Sequence, residues 1–226
     1  MNKTILQSVD DRFLDGLVFC GLVYEIFEKL RGDPEAVSDL RMRRGKCKKL
    51  VEELLPLCKY IQAKYRPGRY ISVRWKDGNQ GYDAELRLSG EYVFQGVNPV
   101  NLFVEVTCVV HPNDYLAREH LDGFGGVFGL DGLGRTKDHG VTTIPTVHVG
   151  DDFIHSYVEL VLAELTKKAA KVYPEQTALV VQCSLNRLYL PDEWEQLVSN
   201  VRRKVTLHSF SEIFLYDPVC EYSVSI

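Results

Sequence analysis

One stretch of the chain decides the fold: Asn101–Val110, which reads NLFVEVTCVV. Both faces of this stretch are apolar except at Glu105 and Thr107. A strand that is apolar on both faces lies inside a sheet and is covered on each side. The stretch therefore predicts a buried central strand, with other strands beside it and helices on the sheet faces.

Alternating segments before and after this stretch predict the other strands. Apolar and polar side chains alternate in residues 70–76 and 82–88, and the sequence Asp-Gly-Asn at residues 77–79 separates the two segments. This pattern is typical of a hairpin. The remaining predicted strands are residues 178–184, residues 213–216 and a short segment at residues 144–149.

Helical periodicity covers much of the remaining chain. Residues 11–31 predict a helix that is apolar nearly all round, and residues 46–64 predict a second helix, which Pro56 should kink. Residues 122–140 are rich in glycine and show neither period, so they predict a loop. Further helices are expected at residues 115–121, 153–173 and 192–204.

The order of these elements predicts an α/β fold. Three strands followed by strand–helix–strand crossovers give one mixed sheet with helices on its faces, and such crossovers favour parallel pairing. The chain has 226 residues, of which 45% are apolar and 26% charged, enough for one large domain with its own core. We therefore expect a single domain at residues 1–226, with a central mixed β-sheet flanked by helices.

The composition is typical of a globular protein in a reducing compartment. Met1 is followed by polar residues rather than by a signal sequence, and the most apolar stretch, Gly16–Tyr24, is too short to span a bilayer. The six cysteines show neither a CxxC pair nor a zinc-ligand spacing. These features predict a soluble, cytoplasmic protein with no membrane partner.

Basic residues are concentrated in one segment, although the chain as a whole is acidic. The formal net charge is −4, yet residues 41–76 contain twelve Lys or Arg and only two acidic residues. Cations at the start of a helix oppose the helix dipole. The cluster is explained either by an anionic partner, nucleic acid first, or by a solvated helix face. The predicted nucleic-acid contacts are Arg41, Arg43, Arg44, Lys48 and Arg74.

The polar side chains of the three central strands fall on matching faces. Alternation puts Asp83 on the polar face of its strand and places Glu105 and Thr107 together on the next strand. The polar face of the first strand carries Arg74 and Lys76. If the strands pair with their apolar faces aligned, the two acidic residues and at least one basic residue share a cleft.

Glu105 is the most informative residue of this set. A carboxylate inside a central strand is costly to bury unless it is paired, protonated or bound to a cation. Arg74 or Arg87 would supply an internal ion pair. The alternative is a metal, because Asp83 on the adjacent strand adds a second carboxylate, and two close carboxylates attract a hard cation such as Mg²⁺.

In this order of helices and strands, the segments YDAEL at residues 82–86 and VEVT at residues 104–107 resemble motifs of the PD-(D/E)XK nuclease superfamily. The resemblance implies a restriction-endonuclease-like core at residues 46–184. Residues 1–45 would then be an N-terminal helical addition, and residues 185–226 a C-terminal α/β extension.

The resemblance also implies a cofactor and a reaction. Asp83 and Glu105 would bind Mg²⁺ (or Mn²⁺), together with Glu53 from the preceding helix. The protein would then be a metal-dependent endo- or exonuclease that hydrolyses phosphodiester bonds in DNA, with the ion polarising the phosphodiester and activating a water.

The chain departs from the family pattern at one position. Thr107 stands where the family has a lysine, and threonine cannot supply a cation. Lys76 is the first candidate to replace that lysine, and Arg74 or Arg87 is the next. The other possibilities are that the metal alone activates water or that the site is inactive.

Two other functions remain open at this point. A protein that keeps the nuclease fold without the reaction would bind nucleic acid through the basic segment, and Thr107 is the main support for it. A protein-interaction domain is the third possibility, because the apolar helix at residues 11–31 could lie in a homodimer interface as well as in the core.

Overall fold

The computed structural model of the protein describes residues 5–78, 80–126, 129–138, 140–146, 152–184, 190–206 and 210–226. Its helices are α1 (Gly16–Arg31), α2 (Pro34–Met42), α3 (Gly45–Lys49), a π-helical segment (Leu50–Leu54), α4 (Leu55–Lys64), α5 (Glu91–Phe94), α6 (Asp114–Phe124), α7 (Asp152–Ala169) and α8 (Pro191–Lys204). Its strands are β1 (Leu14–Asp15), β2 (Tyr70–Trp75), β3 (Ala84–Ser89), β4 (Asn101–Val110), β5 (Leu133–Arg135), β6 (Val141–Thr143), β7 (Thr177–Ser184), β8 (Glu212–Tyr216) and β9 (Ser223–Ser225).

A seven-stranded mixed sheet runs through the protein in the order β1-β2-β3-β4-β7-β8-β9. Strands β1 to β4 are antiparallel to their neighbours, β4, β7 and β8 are parallel, and β9 is antiparallel to β8. This confirms the predicted single α/β domain with a mixed sheet flanked by helices. Strand β4 lies at the centre of the sheet, as its two apolar faces predicted.

Two hydrophobic clusters lie on opposite faces of the sheet. On one face α1 and α4 pack against side chains that include Val104 and Val106. On the other face α7 and α8 pack against side chains that include Val109 and Leu179. Because side chains alternate along a strand, Glu105 lies on the same face as Val109, the face that α7 covers.

The N-terminal part differs from the prediction of one helix over residues 11–31. Helix α1 begins only at Gly16, because the side chain of Asp15 caps it by accepting two backbone N–H groups of the first turn. The residues before the cap contribute the short strand β1. Helix α2 was not predicted; Asp33 caps it and Pro34 is its first residue, a position that proline favours.

Pro56 disturbs its helix one turn upstream of its own position. The helix predicted at residues 46–64 has a π-helical segment at Leu50–Leu54 and is α-helical again from Leu55. Proline has no N–H for the carbonyl four residues before it and crowds that carbonyl, which here belongs to Glu52. The Glu52 carbonyl instead accepts a 3.6 Å hydrogen bond from the Sγ of Cys108 on β4.

The described residues of the glycine-rich segment at residues 122–140 contain secondary structure that the sequence did not predict. They include the end of α6 and the strand β5, which pairs with β6 in a small separate hairpin. The short strand predicted at residues 144–149 is wrong for residues 144–146, which follow β6 without strand pairing. Its remaining residues, 147–149, lie outside the described part of the chain.

Strand β3 is shorter than predicted, and this opens a gap beside β4. It begins at Ala84 rather than at residue 82 and pairs with β4 only along residues 101–104, whereas β7 pairs with β4 along residues 103–110. Among the described residues, the second half of β4 therefore has no neighbouring strand on the β3 side. The candidate site lies at this open edge.

In the part of the chain that the structure describes, every helix is too short or too polar to cross a bilayer.

Candidate active site

A cavity of about 460 Å³ lies along the open edge of β4. The π-helical segment bounds it on one side, and the end of α7 bounds it on the other. Most of its lining side chains are charged, and both predicted acidic residues are among them. The charged lining residues are Lys48, Glu52, Glu53, Asp83, Glu105, Glu164, Lys167, Lys168 and Lys171.

Asp83 continues the β3–β4 ladder with its side chain. Its backbone N–H donates to the carbonyl of Val104 (2.9 Å), and its Oδ2 accepts the N–H of Val106 (2.7 Å). In the strand register, Asp83 therefore stands opposite Glu105, one step beyond the pair Ala84 and Val104. Burial, and next the negative charge of Glu105, raise the pKa of Asp83 to about 7. The two predicted acidic residues thus lie together and repel one another.

Glu105 is buried in an ion pair, and its partner is a residue that the sequence did not indicate. The Nζ of Lys168, on α7, lies 2.6 Å from Oε1 of Glu105 and 3.3 Å from the carbonyl oxygen of Val106. Both side chains of the pair are largely buried, with exposed fractions of 13% and 10%. The hydroxyl of Tyr173 also contacts Oε1 of Glu105, at 3.4 Å. The internal ion pair considered for Glu105 therefore exists, with Lys168 in place of an arginine.

Glu53 enters the same cavity from the π-helical segment. The indole Nε1 of Trp75 donates to its Oε2 at 3.3 Å. Burial raises the pKa of Glu53, although the positive charge of Lys49 opposes that shift. The negative charge of Glu53 also contributes to the raised pKa of Asp83. Three carboxylates from three different elements therefore line one cavity.

Thr107 is buried and makes a hydrogen bond within the cavity. Its Oγ1 donates to Oε1 of Glu164 on α7 at 2.8 Å, and Glu164 in turn pairs with Lys167 at 3.1 Å. Thr107 thus ties β4 to α7. One turn further along α7 from Glu164, Lys168 supplies the ammonium that contacts Glu105.

The strand residues proposed to supply that cation lie elsewhere. Lys76 is exposed and sits 3.8 Å from Asp11. Arg74 pairs with Glu85, and its guanidinium lies over the ring of Phe13. Arg87 lies over the same ring, 3.8 Å from its centroid. None of these three basic residues is among the cavity's lining residues.

Most of the predicted nucleic-acid contacts are engaged in ion pairs within the protein. Arg43 is largely buried and pairs with Glu52 at 3.0 Å. Arg41 and Arg44 lie 3.9 Å from aspartate side chains and remain partly exposed. Of the five predicted contacts, Lys48 is the one that lines the cavity, with a side chain that is 63% exposed.

The cavity has a basic rim, of which the sequence analysis predicted only Lys48. Lys167 is 69% exposed, and Lys171 is exposed as well, so together with Lys48 they place three cations around the acidic pair. A sequence signal for the α7 side existed: Glu164 lies three residues before Lys167 and four before Lys168, so it shares a face of the predicted helix with each of them. We name Lys48, Lys167 and Lys171 the lysine rim.

The donors of the site are of the type that Mg²⁺ prefers. Asp83, Glu105 and Glu53 supply carboxylate oxygens, and Val106 supplies a carbonyl oxygen, all hard ligands. The crowding of charge that raises the pKa of Asp83 is relieved by a cation. At present the ammonium of Lys168 provides that charge, and the described residues hold no cluster of three or more His, Cys, Asp or Glu arranged for a metal. A divalent ion therefore fits this site only if Lys168 moves.

Comparisons of the chain with protein-family models, with curated proteins and with solved structures gave no match. The site and the order of elements are therefore what the functional argument rests on.

Proposed function

We propose that this protein is a Mg²⁺-dependent (or Mn²⁺-dependent) nuclease that hydrolyses phosphodiester bonds in DNA. The observation that carries the proposal is the shared cavity, in which Asp83 and Glu105 meet at the open edge of β4 between a glutamate and a lysine from two flanking helices. Two carboxylates beside the ammonium of Lys168, with further lysines around them, suit a substrate whose reacting group is an anionic phosphate.

The side chains of the site would have two roles, metal binding and stabilisation of the developing charge. Asp83 and Glu105 would hold the ion, with Glu53 as a further ligand. Lys168 would then no longer pair with Glu105, and its ammonium would stabilise the negative charge that develops on the phosphate during attack. In the nucleases that the chain resembles, a lysine at the position of Thr107 would stabilise this charge, and Lys168 has that role in the proposal.

The bound ion would lower the pKa of a water and so supply the nucleophile at neutral pH. The lysine rim would hold the phosphates on either side of the cleaved bond. Thr107 keeps α7 fixed to β4 through Glu164, which sets the position of Lys168. It is a positioning residue, not a catalytic one.

Cleavage of a labelled DNA substrate in Mg²⁺ or Mn²⁺ tests the proposal. Asp83→Asn and Glu105→Gln should lower the rate by at least about 100-fold, because loss of the ion removes several kcal/mol of stabilisation from the transition state. Glu85→Gln is the matched control, since Glu85 pairs with Arg74 outside the cavity and its rate should stay within about twofold of wild type. Equal rates in all four proteins would refute the nuclease.

A second candidate is a DNA-binding module without catalysis. The close pair between Lys168 and Glu105 favours it, because a lysine that never leaves Glu105 keeps the ion out. This module would bind DNA with a steep salt dependence through the lysine rim, and Glu105→Gln would leave its affinity unchanged. Wild-type protein that binds DNA but does not cleave it in either metal would select this candidate.

A protein-interaction domain is the third candidate. Helix α1 packs against α4 with buried side chains, so most of its apolar surface is part of the core. Leu17 and Val18 remain about half exposed. Concentration-dependent association of the protein, with no affinity for DNA at moderate salt, would support this candidate over the other two.

A further inference from the structure

A second cavity, of about 200 Å³, opens on the other side of the acidic pair. Asp83, Glu105 and Lys171 line both cavities, so the two meet at the acidic pair. Apart from these three shared residues, the lining of the second cavity is uncharged, whereas the first is mostly charged. The uncharged lining residues are Gly78, Gln80, Gly81, Tyr82, Val172 and Tyr173.

Two aromatic side chains of the second cavity are held in place by the fold. The ring of Tyr82 contacts the ring of Phe103 on β4, with centroids 4.8 Å apart. The ring of Tyr173 contacts that of Phe210 at 5.0 Å, and its hydroxyl reaches Glu105. Rings that are fixed before a ligand arrives lose little conformational freedom on binding, which favours stacking of a planar group.

Two further features indicate that the second cavity takes a small, flat and mainly apolar group. Val172 stands 95% exposed at its edge, so an apolar side chain is available for a ligand to cover. The volume lies below the range of about 300–1,000 Å³ that is typical of sites for drug-sized ligands, so it suits one ring system rather than a whole nucleotide. Gln80 adds amide groups that can bond to the edge of such a ring.

The geometry points to a subsite for one unpaired nucleobase, stacked beside Tyr82 and Tyr173, next to the phosphate at the acidic pair. The substrate class is therefore single-stranded DNA or a single-stranded segment of a duplex, because a base inside a duplex is already stacked and paired. This inference rests on the proposed nuclease, since it assigns the neighbouring phosphate to the acidic pair.

Binding of two oligomers in Ca²⁺ tests the subsite separately from the reaction. One is single-stranded oligo(dT), and the other is an abasic oligomer of the same length and the same phosphates. Wild type should bind oligo(dT) about 5- to 100-fold more tightly, the range expected for one base stacked on an aromatic ring. Tyr82→Ala removes one of the two rings and should reduce this preference several-fold, with its affinity for the abasic oligomer unchanged. Tyr82→Phe keeps the ring and should keep the preference, as should Tyr115→Ala, which removes an exposed tyrosine outside both cavities.

The outcomes separate the two proposals. Equal binding of the oligomers by wild type, with DNA cleavage retained, overturns the nucleobase subsite and leaves the nuclease standing. A preference for oligo(dT) that is undiminished in Tyr82→Ala also overturns the subsite. No binding of either oligomer, together with no cleavage, overturns both the subsite and the nuclease.

Discussion

At the scale of single residues, the site is a balance between three carboxylates and one ammonium. Asp83 is crowded by Glu105 and Glu53, and its pKa rises to about 7. Lys168 relieves part of the crowding by pairing with Glu105. A group held this way responds to pH and to added cations, and both responses can be measured.

The raised pKa of Asp83 makes the stability of the metal-free protein depend on pH. The folded protein retains a proton on Asp83 up to about pH 7, whereas the unfolded chain releases it near pH 4. This group therefore stabilises the fold most at low pH, and the stabilisation is lost as the pH rises through 7. Between pH 5 and pH 8 the free energy of unfolding should fall by about 2 kcal/mol because of Asp83 alone, allowing for solvent screening.

Urea denaturation at a series of pH values, in EDTA, measures this effect. Asp83→Asn keeps the acceptor for the N–H of Val106 but cannot titrate, so its stability should change less with pH over the same range. If the free energy of unfolding of the wild type changed with pH as little as that of Asp83→Asn, the raised pKa of Asp83 would be contradicted.

The ion pair between Lys168 and Glu105 predicts that Mg²⁺ stabilises a variant without this lysine more than it stabilises the wild type. In EDTA, Lys168→Met leaves a buried carboxylate without its partner and should lower the free energy of unfolding by roughly 3 kcal/mol. Mg²⁺ should restore much of that loss, because the ion replaces the missing charge and no longer has to displace a lysine. The variant should nevertheless cleave DNA poorly.

Thermal unfolding with and without Mg²⁺ checks this prediction. Lys204→Met is the matched control, since Lys204 forms an exposed pair with Glu159 and its loss should cost less than about 1 kcal/mol. If Mg²⁺ stabilises Lys168→Met no more than it stabilises wild type, Lys168 does not occupy the cation position.

At the scale of elements, the close approach of α1 to its neighbours depends on one glycine. A Cβ on Gly16 would lie 2.7 Å from Cγ2 of Ile61 and 3.0 Å from the carbonyl oxygen of Ile71, whereas one on Gly21 would meet nothing within 4 Å. Gly16→Ala should therefore destabilise the protein by about 1–3 kcal/mol through overpacking. Gly21→Ala, in the same helix, should stabilise it by about 0.5–1 kcal/mol. Urea denaturation of the two variants compares them, and equal stabilities would show that α1 does not approach β2 and α4 this closely.

The elements also show what local sequence could and could not reveal. Strand β4 was predicted with its observed bounds because both of its faces are apolar, and a period of two residues located β2 and most of β3. The start of β3 was missed because Tyr82 and Asp83 continue the alternating pattern, although the strand itself begins only at Ala84. Helix α2 was missed because its start, Asp33 followed by Pro34, comes directly after the end of α1 and was not recognised as a helix start.

The site could be predicted only in part, because local sequence patterns do not reveal contacts between distant parts of the chain. Asp83 and Glu105 lie on adjacent strands, and strand alternation alone places them on one face. Lys168 follows Glu105 by 63 residues, so no local pattern links the two. Their contact depends on how α7 packs across the sheet, which is a property of the tertiary fold.

At the scale of the whole molecule, DNA binding should depend on the charge around the cavity more than on the net charge of −4. The basic segment at residues 41–76 largely pairs with acidic residues of the protein, and the lysine rim brings together cations from two distant parts of the chain. DNA binding should therefore depend on the three rim lysines, of which Lys48 alone belongs to the basic segment, and not on the other basic residues of that segment.

Salt dependence of oligonucleotide binding measures this difference. Replacing Lys48, Lys167 and Lys171 together by glutamine should reduce the slope of log affinity against log salt by about two units for single-stranded DNA, near 0.7 for each phosphate that a lysine no longer neutralises. Replacing Arg41 and Arg44 should change the slope by less than about one unit, because neither lines the cavity that contains the acidic pair. If replacing Arg41 and Arg44 reduced the slope more than replacing the three rim lysines, DNA would bind to the basic segment instead.

The central claim is that Asp83 and Glu105 together bind a divalent cation, and calorimetric titration of Mn²⁺ at pH 8 tests it most directly. Wild type and Glu85→Gln should give the same saturable heat, and Asp83→Asn and Glu105→Gln should each lose at least about tenfold in affinity. Absence of saturable binding in wild type, or undiminished binding in both acidic-site variants, would contradict the account.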